Sequence, residues 1–328
     1  MIITFRKVGV LYGGRSAERD VSLMSGKAVC EALQSQGVNA HLFDTGQHSL
    51  AELVEQNFDA VFIALHGRYG EDGTMQGALE LLGIPYTGSG PMSSALAMDK
   101  ILTKRVWLEA GLPTPIYREI KSKADLQGLE QAVGLPFIMK PPHEGSTLGL
   151  VKVESAHETV AAFEKVKRFD EVVLAEQFVS GREFTVAVLS VASNVKQAHL
   201  EPTALPVIEI MAPDGNYDYE HKYHSDDTQY ICPAKIPDDL AERMKTLAVK
   251  AFTSLRCEGW ARADIMLDND GQPWLLEINT SPGMTGHSLV PMAAKAAGMS
   301  FETLCMHILS QARCKVGQTN PTHLSEGK

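Results

Sequence analysis

The sequence predicts an α/β unit followed by two segments of mixed strands and helices. Two patterns carry this. Between Val8 and Leu82 short apolar runs alternate with helical stretches, and strands alternating with helices imply a parallel sheet whose ligands sit beyond the strand carboxyl ends. Towards the carboxyl end, Arg262 to Met284 reads as two apolar strands, Ala263 to Leu267 and Trp274 to Ile278. The turn Asp268-Asn269-Asp270-Gly271 joins them, a strong hairpin signal.

In the first segment Val8 to Tyr12 is a continuous apolar strand, followed by Gly13-Gly14 and a helix from about Ala17 to Gln36 that Gly37 ends. Val38 to Phe43 and Asp59 to Leu65 are further strands, and Thr74 to Leu82 is a helix closed by Gly83. A second segment begins near Pro91. Met98 to Ala110 reads as one helix carrying Lys100, Ile116 to Ile120 and Phe137 to Lys140 as strands, with the turn Gly134-Leu135-Pro136 before the latter. Val151 to Val153 returns as a strand, Ala156 to Lys167 is an amphipathic helix, and Val172 to Phe178 is an apolar strand. The third segment has strands at Phe184 to Val191 and Pro206 to Met211, then a polar, irregular stretch from Ala212 to Pro233. Its length suggests a functional loop, with Tyr217, Tyr219, Lys222 and Tyr223 as lid residues. Asp238 to Arg256 is a helix before the hairpin, Leu289 to Ala297 and Phe301 to Arg313 are helices after it, and Val316 to Lys328 has a tail composition expected to be disordered. No repeat of solenoid or propeller period is present.

The 328 residues give room for two or three domains. A net charge of −10 argues against a non-specific nucleic-acid binder and still allows a local basic pocket for phosphates. The five cysteines are scattered with no CxxC pair, which fits reduced thiols rather than a disulfide framework or a zinc site. The first residues lack a signal-peptide layout and no apolar run approaches a membrane span. A soluble, cytoplasmic protein is expected.

The hairpin holds the most informative chemistry. Alternate side chains on a strand share a face, so Glu277 and Asn279 point the same way and Asp264 comes beside them. Two carboxylates and an amide carbonyl suit a hard cation such as Mg²⁺. Arg262 at the rim offers a planar fork for a phosphoryl group or an oxyanion. The same residues also fit an ordinary amphipathic hairpin with a polar face. The loop Pro141 to Gly149, PPHEGSTLG, is neither a Walker nor a kinase loop, but its N–H groups suit phosphates with Lys140 just before it. A mobile hairpin tip is the alternative. Glu18 reads either as a ligand for an ammonium group or as a helix-dipole carboxylate, and His66, taken alone, reads better as a core histidine.

Taken together, GGRSAERDVS, LHGRYGEDGTMQG, PYTGSG, MDK, KPPHEGST, YDYEHKY and ARADIMLDNDGQPWLLEINTSPGMTGHSLVP resemble the D-alanine–D-alanine ligases, in the family's order, from Val8 to about Arg313. That resemblance implies an amino-terminal parallel-sheet α/β domain (residues 1–97) ahead of a two-lobed α+β ATP-grasp fold. Its central lobe would span 98–182 and its carboxy-terminal lobe 183–315, before the tail 316–328. It implies ATP-dependent joining of two D-alanines for peptidoglycan through a D-alanyl phosphate, with ATP and two Mg²⁺ or Mn²⁺ ions. Asp264, Glu277 and Asn279 would hold the metal; Lys100 and Lys140 would bind phosphates and Lys222 the transferred phosphoryl group. Arg262 and the Gly283 N–H would stabilise the oxyanion. Glu18, with His66 nearby, would take the first ammonium, Ser288 the second carboxylate, and Tyr223 and Ser146 would hydrogen-bond with Glu18. Glu176, Gln177, Phe178, Val179 and Glu183 would line the adenine and ribose site. No nucleic-acid or membrane partner is implied, and a homodimer is expected.

Two positions depart from the commonest family pattern. Gln177 stands where many relatives have a lysine, and Ser146-Thr147 replaces a double serine. Neither touches the metal or oxyanion set. A D-alanine–D-lactate ligase or another carboxylate–amine ligase of the same fold, and a catalytically dead nucleotide-binding module, are the competing readings. Tyr223 favours the dipeptide product over the depsipeptide, because depsipeptide-forming relatives carry a histidine-bearing lid there.

Overall fold

The computed structural model describes residues 5–145, 148–194, 197–211 and 228–316. Its first sheet is parallel, in the order β2-β1-β3, from β1 (Val8–Tyr12), β2 (Ala40–Asp44) and β3 (Ala60–Ile63). Parallel neighbours need crossovers, supplied by the helices α1 (Arg19–Ser35) and α2 (Leu50–Glu55). Helix α1 lies so close on β1 that a Cβ added to Gly26 would stand 2.3 Å from Tyr12 Cβ, so only glycine fits there. Helix α3 (Thr74–Leu82) stops at Gly83, whose left-handed φ of +66° matches the stop signal in the sequence.

The helix expected over Met98 to Ala110 is present as α5 (Lys100–Glu109), and a helix the sequence did not suggest, α4 (Pro91–Met98), precedes it. Asp99 makes the break. Its Oδ1 accepts the N–H groups of Ile101 and Leu102 at 2.8 and 3.0 Å, so the side chain caps α5 instead of continuing α4. Lys100 thereby becomes the first residue of a helix.

The second sheet is antiparallel, in the order β4-β7-β5-β6, from β4 (Tyr117–Ile120), β5 (Phe137–Lys140), β6 (Val151–Val153) and β7 (Val173–Gln177). The short helix α6 (Leu129–Val133) and α7 (Thr159–Val166) cover it, over a core that includes Phe137, Met139, Phe163 and Val166. The helix expected from Ala156 begins instead as a 3₁₀ turn, Ala156–Glu158. The glycine-rich loop connects β5 to β6.

The third sheet is built on β8 (Gly181–Asn194), longer at both ends than the sequence suggests. It runs β11-β10-β8-β12-β13, with β9 also on β8, from β9 (Gln197–Ala204), β10 (Ile208–Met211), β11 (Gln229–Ile231), β12 (Trp260–Asp268) and β13 (Pro273–Asn279). Two of these strands were not expected. Pro202 argues against a strand in β9, yet no further described strand pairs with β9 beyond β8, and an edge tolerates proline. Strand β11 lies inside the stretch read as irregular, and the expected strand from Pro206 begins only at Ile208.

One face of this sheet packs on α8 (Asp238–Ser254), with Phe184, Val186, Ala263 and Ile265 against Leu247 and Phe252. The other face joins α9 (Leu289–Ala296) and α10 (Phe301–Leu309), and Val29 and Leu33 of α1 belong to the same core. The first and third sheets thus share one hydrophobic core, which fixes the loops between them. Among the described residues no helix is long and apolar enough to cross a membrane.

Candidate active site

The hairpin pairs Arg262 with Asn279 and Asp264 with Glu277, which puts all four side chains on one face. Strict alternation along β13 would place Glu277 with Leu275. A bulge between the two strands shifts the register between Asp264 and Ile265, so that Leu275 and Ile278 both enter the core and Glu277 and Asn279 face away from it. The shared face predicted for Glu277 and Asn279 is present, and the bulge is what aims it. The Arg262 guanidinium donates from Nε and Nη2 to the two oxygens of Asp264, each at 2.9 Å. Thr185 Oγ1 donates to Asp264 Oδ1 at 2.6 Å and Asn279 Nδ2 to Oδ2 at 3.2 Å. Lys100 Nζ lies 3.2 Å from Glu277 Oε2 and donates to the Glu144 carbonyl at 2.8 Å.

Both hairpin carboxylates therefore carry a cation in this structure. Among the described residues no group of three or more His, Cys, Asp or Glu forms a metal cluster. The set is two carboxylates and an amide, all oxygen donors, and fits a hard divalent ion that completes its shell with water and phosphate oxygens.

Lys140 ends β5 and Glu176 lies beside it on β7. Glu176 bridges two lysines: Lys140 Nζ at 2.5 Å from Oε1 and Lys104 Nζ at 2.8 Å from Oε2. Lys104, fully buried, also donates to Thr114 Oγ1 at 2.6 Å. Burial opposes the Glu176 charge, but the two lysines outweigh it and hold the carboxyl down to about 2. Burial likewise opposes the Lys140 charge, and Glu176, Glu277 and Glu183 together keep its pKa above the ordinary lysine value. Glu183 pairs across with Met266 and Thr185 with Asp264, so Glu183 shares the face of the hairpin carboxylates. Gln177, Phe178 and Val179 form the link from β7 towards β8. The Phe178 ring takes Lys152 Nζ at 4.6 Å from its centroid, and Gln177 is exposed.

On the opposite wall, Glu18 sits at the N-cap of α1. Two glycines approach its carboxylate: a Cβ on Gly67 would lie 2.9 Å from Oε2 and one on Gly145 3.2 Å from Oε1. His66 is buried, with Nδ1 2.8 Å from the Ser281 carbonyl and Nε2 2.9 Å from Ser25 Oγ. A carbonyl only accepts, so Nδ1 carries the proton and Nε2 accepts from Ser25, which in turn accepts the Met284 N–H at 3.1 Å. Burial holds His66 below its ordinary pKa, consistent with a neutral ring. His66 thus ties the loop that carries Gly283 through the Ser281 carbonyl and Ser25, as a buried histidine satisfied by its neighbours. A Cβ on Gly283 would stand 2.9 Å from Ser288 Oγ, and Ser288 is the N-cap of α9, where Thr285 N–H donates to it at 2.9 Å.

A cleft of about 420 Å³ gathers Glu18, His66, Lys100, Arg262, Glu277, Asn279, Gly283 and Ser288 on its walls. Lys140, Asp264, Glu183 and residues 176–179 do not line it. Ser146, Lys222 and Tyr223 lie outside the described residues. Sequence reasoning missed Lys104, Ser25 and Glu71. Glu71 accepts from Gly67 N–H at 2.8 Å and Ser281 N–H at 3.2 Å, and burial, with the charge of Glu18, pushes it up to about 8. Lys104 carried a signal, since it stands four residues after Lys100 on one helix face. Ser25 and Glu71 carried none, because their partners are 259 and 210 residues away.

Residues 45–89 match the family described as D-ala D-ala ligase N-terminus and residues 106–310 the one described as D-ala D-ala ligase C-terminus. A D-alanine–D-alanine ligase of Bordetella petrii is 64% identical over 310 residues, covering 94% of this chain and 93% of that protein. The chain belongs to the D-alanine–D-alanine ligase family. Its structure is also similar to known members of that family. A Bacillus anthracis D-alanine–D-alanine ligase complexed with ATP has a TM-score of 0.78 at 31% identity, over 93% of this chain and 97% of that one. The VanG D-Ala:D-Ser ligase of Enterococcus faecalis has a TM-score of 0.80 at 29% identity, over 93% and 99%. The fold is therefore that of the ATP-grasp ligases, and the family makes the chain an ATP-dependent ligase.

Proposed function

We propose that this ligase joins two D-alanines into D-alanyl-D-alanine, with ATP converted to ADP and phosphate through a D-alanyl phosphate. The observation that carries this is one cleft lined by the acid Glu18, by Ser288 at a helix N-terminus, and by Arg262, Glu277 and Asn279 of the hairpin. Glu18 takes the ammonium of the first D-alanine. The N-terminus of α9, with Ser288, takes the carboxylate of the second, since a helix N-terminus favours an anion. The first carboxylate oxygen bonds to the γ-phosphorus and ADP leaves; the second amine, having lost a proton, then bonds to the acyl carbon and expels phosphate. Arg262 and the Gly283 N–H face the oxyanion of that second step, where one such donor is typically worth about 3–4 kcal/mol. Lys100 and Lys140 hold phosphates, and Lys222 reaches the transferred group. Glu176 through Val179 and Glu183 border adenine and ribose; the Glu176 carboxylate, committed to Lys104 and Lys140, acts there by positioning Lys140. Asp264, Glu277 and Asn279 would hold two Mg²⁺ or Mn²⁺ ions, which when bound neutralise phosphate charge. The enzyme works in the cytoplasm as a homodimer, with domains at 1–97, 98–182 and 183–315 and a tail at 316–328. By family resemblance, Ser146 and Tyr223 would hydrogen-bond with Glu18.

The nucleophile decides the product. A cationic lid would repel an incoming ammonium and favour a hydroxy acid, whereas Tyr223 adds no charge in mildly acidic buffer. His221 and His224 flank it and are the groups able to change that. With ATP and equal D-alanine, D-lactate and D-serine, mass analysis across mildly acidic to mildly alkaline pH is expected to show D-alanyl-D-alanine as the main product throughout. A majority of D-alanyl-D-lactate or D-alanyl-D-serine at neutral pH overturns the reading. Absence of phosphate release would point to a nucleotide-binding module.

A further inference from the structure

His143 lies just past Lys140, on the loop between β5 and β6, and contacts two other elements. Its Nδ1 is 2.7 Å from Asp170 Oδ2, in the turn before β7, and its Nε2 is 3.3 Å from Asp99 Oδ2, the cap of α5. A neutral imidazole carries one N–H, so only the imidazolium donates to both carboxylates. The loop meets α5 at two further points, Lys100 N–H to the Pro142 carbonyl at 3.2 Å and Lys100 Nζ to the Glu144 carbonyl at 2.8 Å. From the first sheet's loops, Arg68 Nε donates to Glu144 Oε1 at 2.9 Å and Nη2 lies 3.8 Å from Asp170 Oδ2.

We propose that His143 is a positioning residue, a cationic pin that fixes the base of the glycine-rich loop to the start of α5 and to the turn before β7. Lys140 and Lys100 stand on either side of the pinned segment, so the pin sets the separation of the two lysines. Its link to nucleotide rests on the reading of this loop as a phosphate cradle. Asp99 and Asp170 face the ring as anions, Glu144 adds a third from the loop itself, and Lys100 and Arg68 oppose them.

Hydrogen bonds to Asp170 and Asp99 raise His143 from 6.5 to about 9. A folded pKa above the unfolded one means the pin is fully present below about pH 6.5 and is lost as pH rises through about 9. Three variants separate the possibilities. His143→Gln keeps hydrogen-bonding capacity without the charge, and His143→Arg keeps two donors with a charge that does not titrate. In the nucleotide-free enzyme, amide-exchange protection of Lys100, whose N–H donates to the Pro142 carbonyl, should fall about tenfold at pH 7 in His143→Gln, the size of one lost charge-assisted hydrogen bond. Wild type should lose the same protection between pH 8 and 10, and His143→Arg should keep it, roughly as the pKa shift requires. Asp170→Asn should mimic His143→Gln. The KM for ATP should follow the same pattern with kcat little changed. A wild-type His143 ring that titrates below pH 7 by NMR, or His143→Gln with wild-type protection, overturns the pin. Protection lost with an unmoved KM for ATP leaves the pin standing and removes the phosphate-cradle reading instead.

Discussion

Glu277→Gln lowers turnover by roughly two to three orders of magnitude while the fold persists. The substitution keeps shape and hydrogen-bonding capacity and removes the charge of one of the two hairpin carboxylates. Glu277 is on the strand rim of the cleft and not in either core, so the bulge, the Asp264–Arg262 pair and the packing of Leu275 and Ile278 stay in place. Its partner Lys100 keeps the Glu144 carbonyl. What is lost is the charge that would hold a divalent ion on the phosphates and balance Lys100, an effect present mainly in the transition state. Steady-state rates at ordinary Mg²⁺ and the thermal midpoint measure the two sides. Near-normal turnover contradicts the assignment of Glu277 to the metal.

Glu176→Leu destabilises the protein by about 3–5 kcal/mol, because it removes the one carboxylate between the buried Lys104 and the part-buried Lys140. Lys104 has no exposed surface and retains Thr114 Oγ1, the Pro115 carbonyl and the face of the Tyr117 ring, none of them an anion. Its ammonium cannot keep its charge there without cost, and burial already pulls its pKa down. Pairing with Lys104→Met recovers part of the loss, since the uncompensated charge is then gone. The acid side follows from the same group. Glu176 is depressed from 4.5 to about 2, so its contribution is complete above about pH 4.5 and is lost as pH falls towards 2. A thermal midpoint unmoved by Glu176→Leu contradicts this account of the triad.

Much of the architecture was legible in the sequence because the strands of the first and second sheets are short apolar runs bounded by glycine or proline. The end of α3 at Gly83 and the four-residue turn of the hairpin could be placed from local chemistry alone. The break at Asp99 could not, since helix and cap both suit an aspartate before a periodic run. Strand β9 was hidden by Pro202 and β11 by its polar surroundings. In the candidate site, the common face of Asp264, Glu277, Asn279 and Arg262 was legible through strand alternation and the hairpin turn. The bulge that aims Glu277 was not, because it depends on the pairing register and not on the residues of one strand. His143 was visible only as a loop residue; its role needs Asp99 and Asp170, far away in the chain.

If a D-alanine carboxylate attacks the γ-phosphate, phosphate later leaves the acyl carbon carrying one of that carboxylate's oxygens. The direct measurement uses D-alanine labelled with ¹⁸O in its carboxylate, with unlabelled ATP and water, and mass analysis of the released phosphate. In-line attack by the carboxylate puts one labelled oxygen into each phosphate, as the C–O bond to the acyl carbon breaks when the second amine adds. Phosphate free of label, with dipeptide formed, contradicts a D-alanyl phosphate on the path.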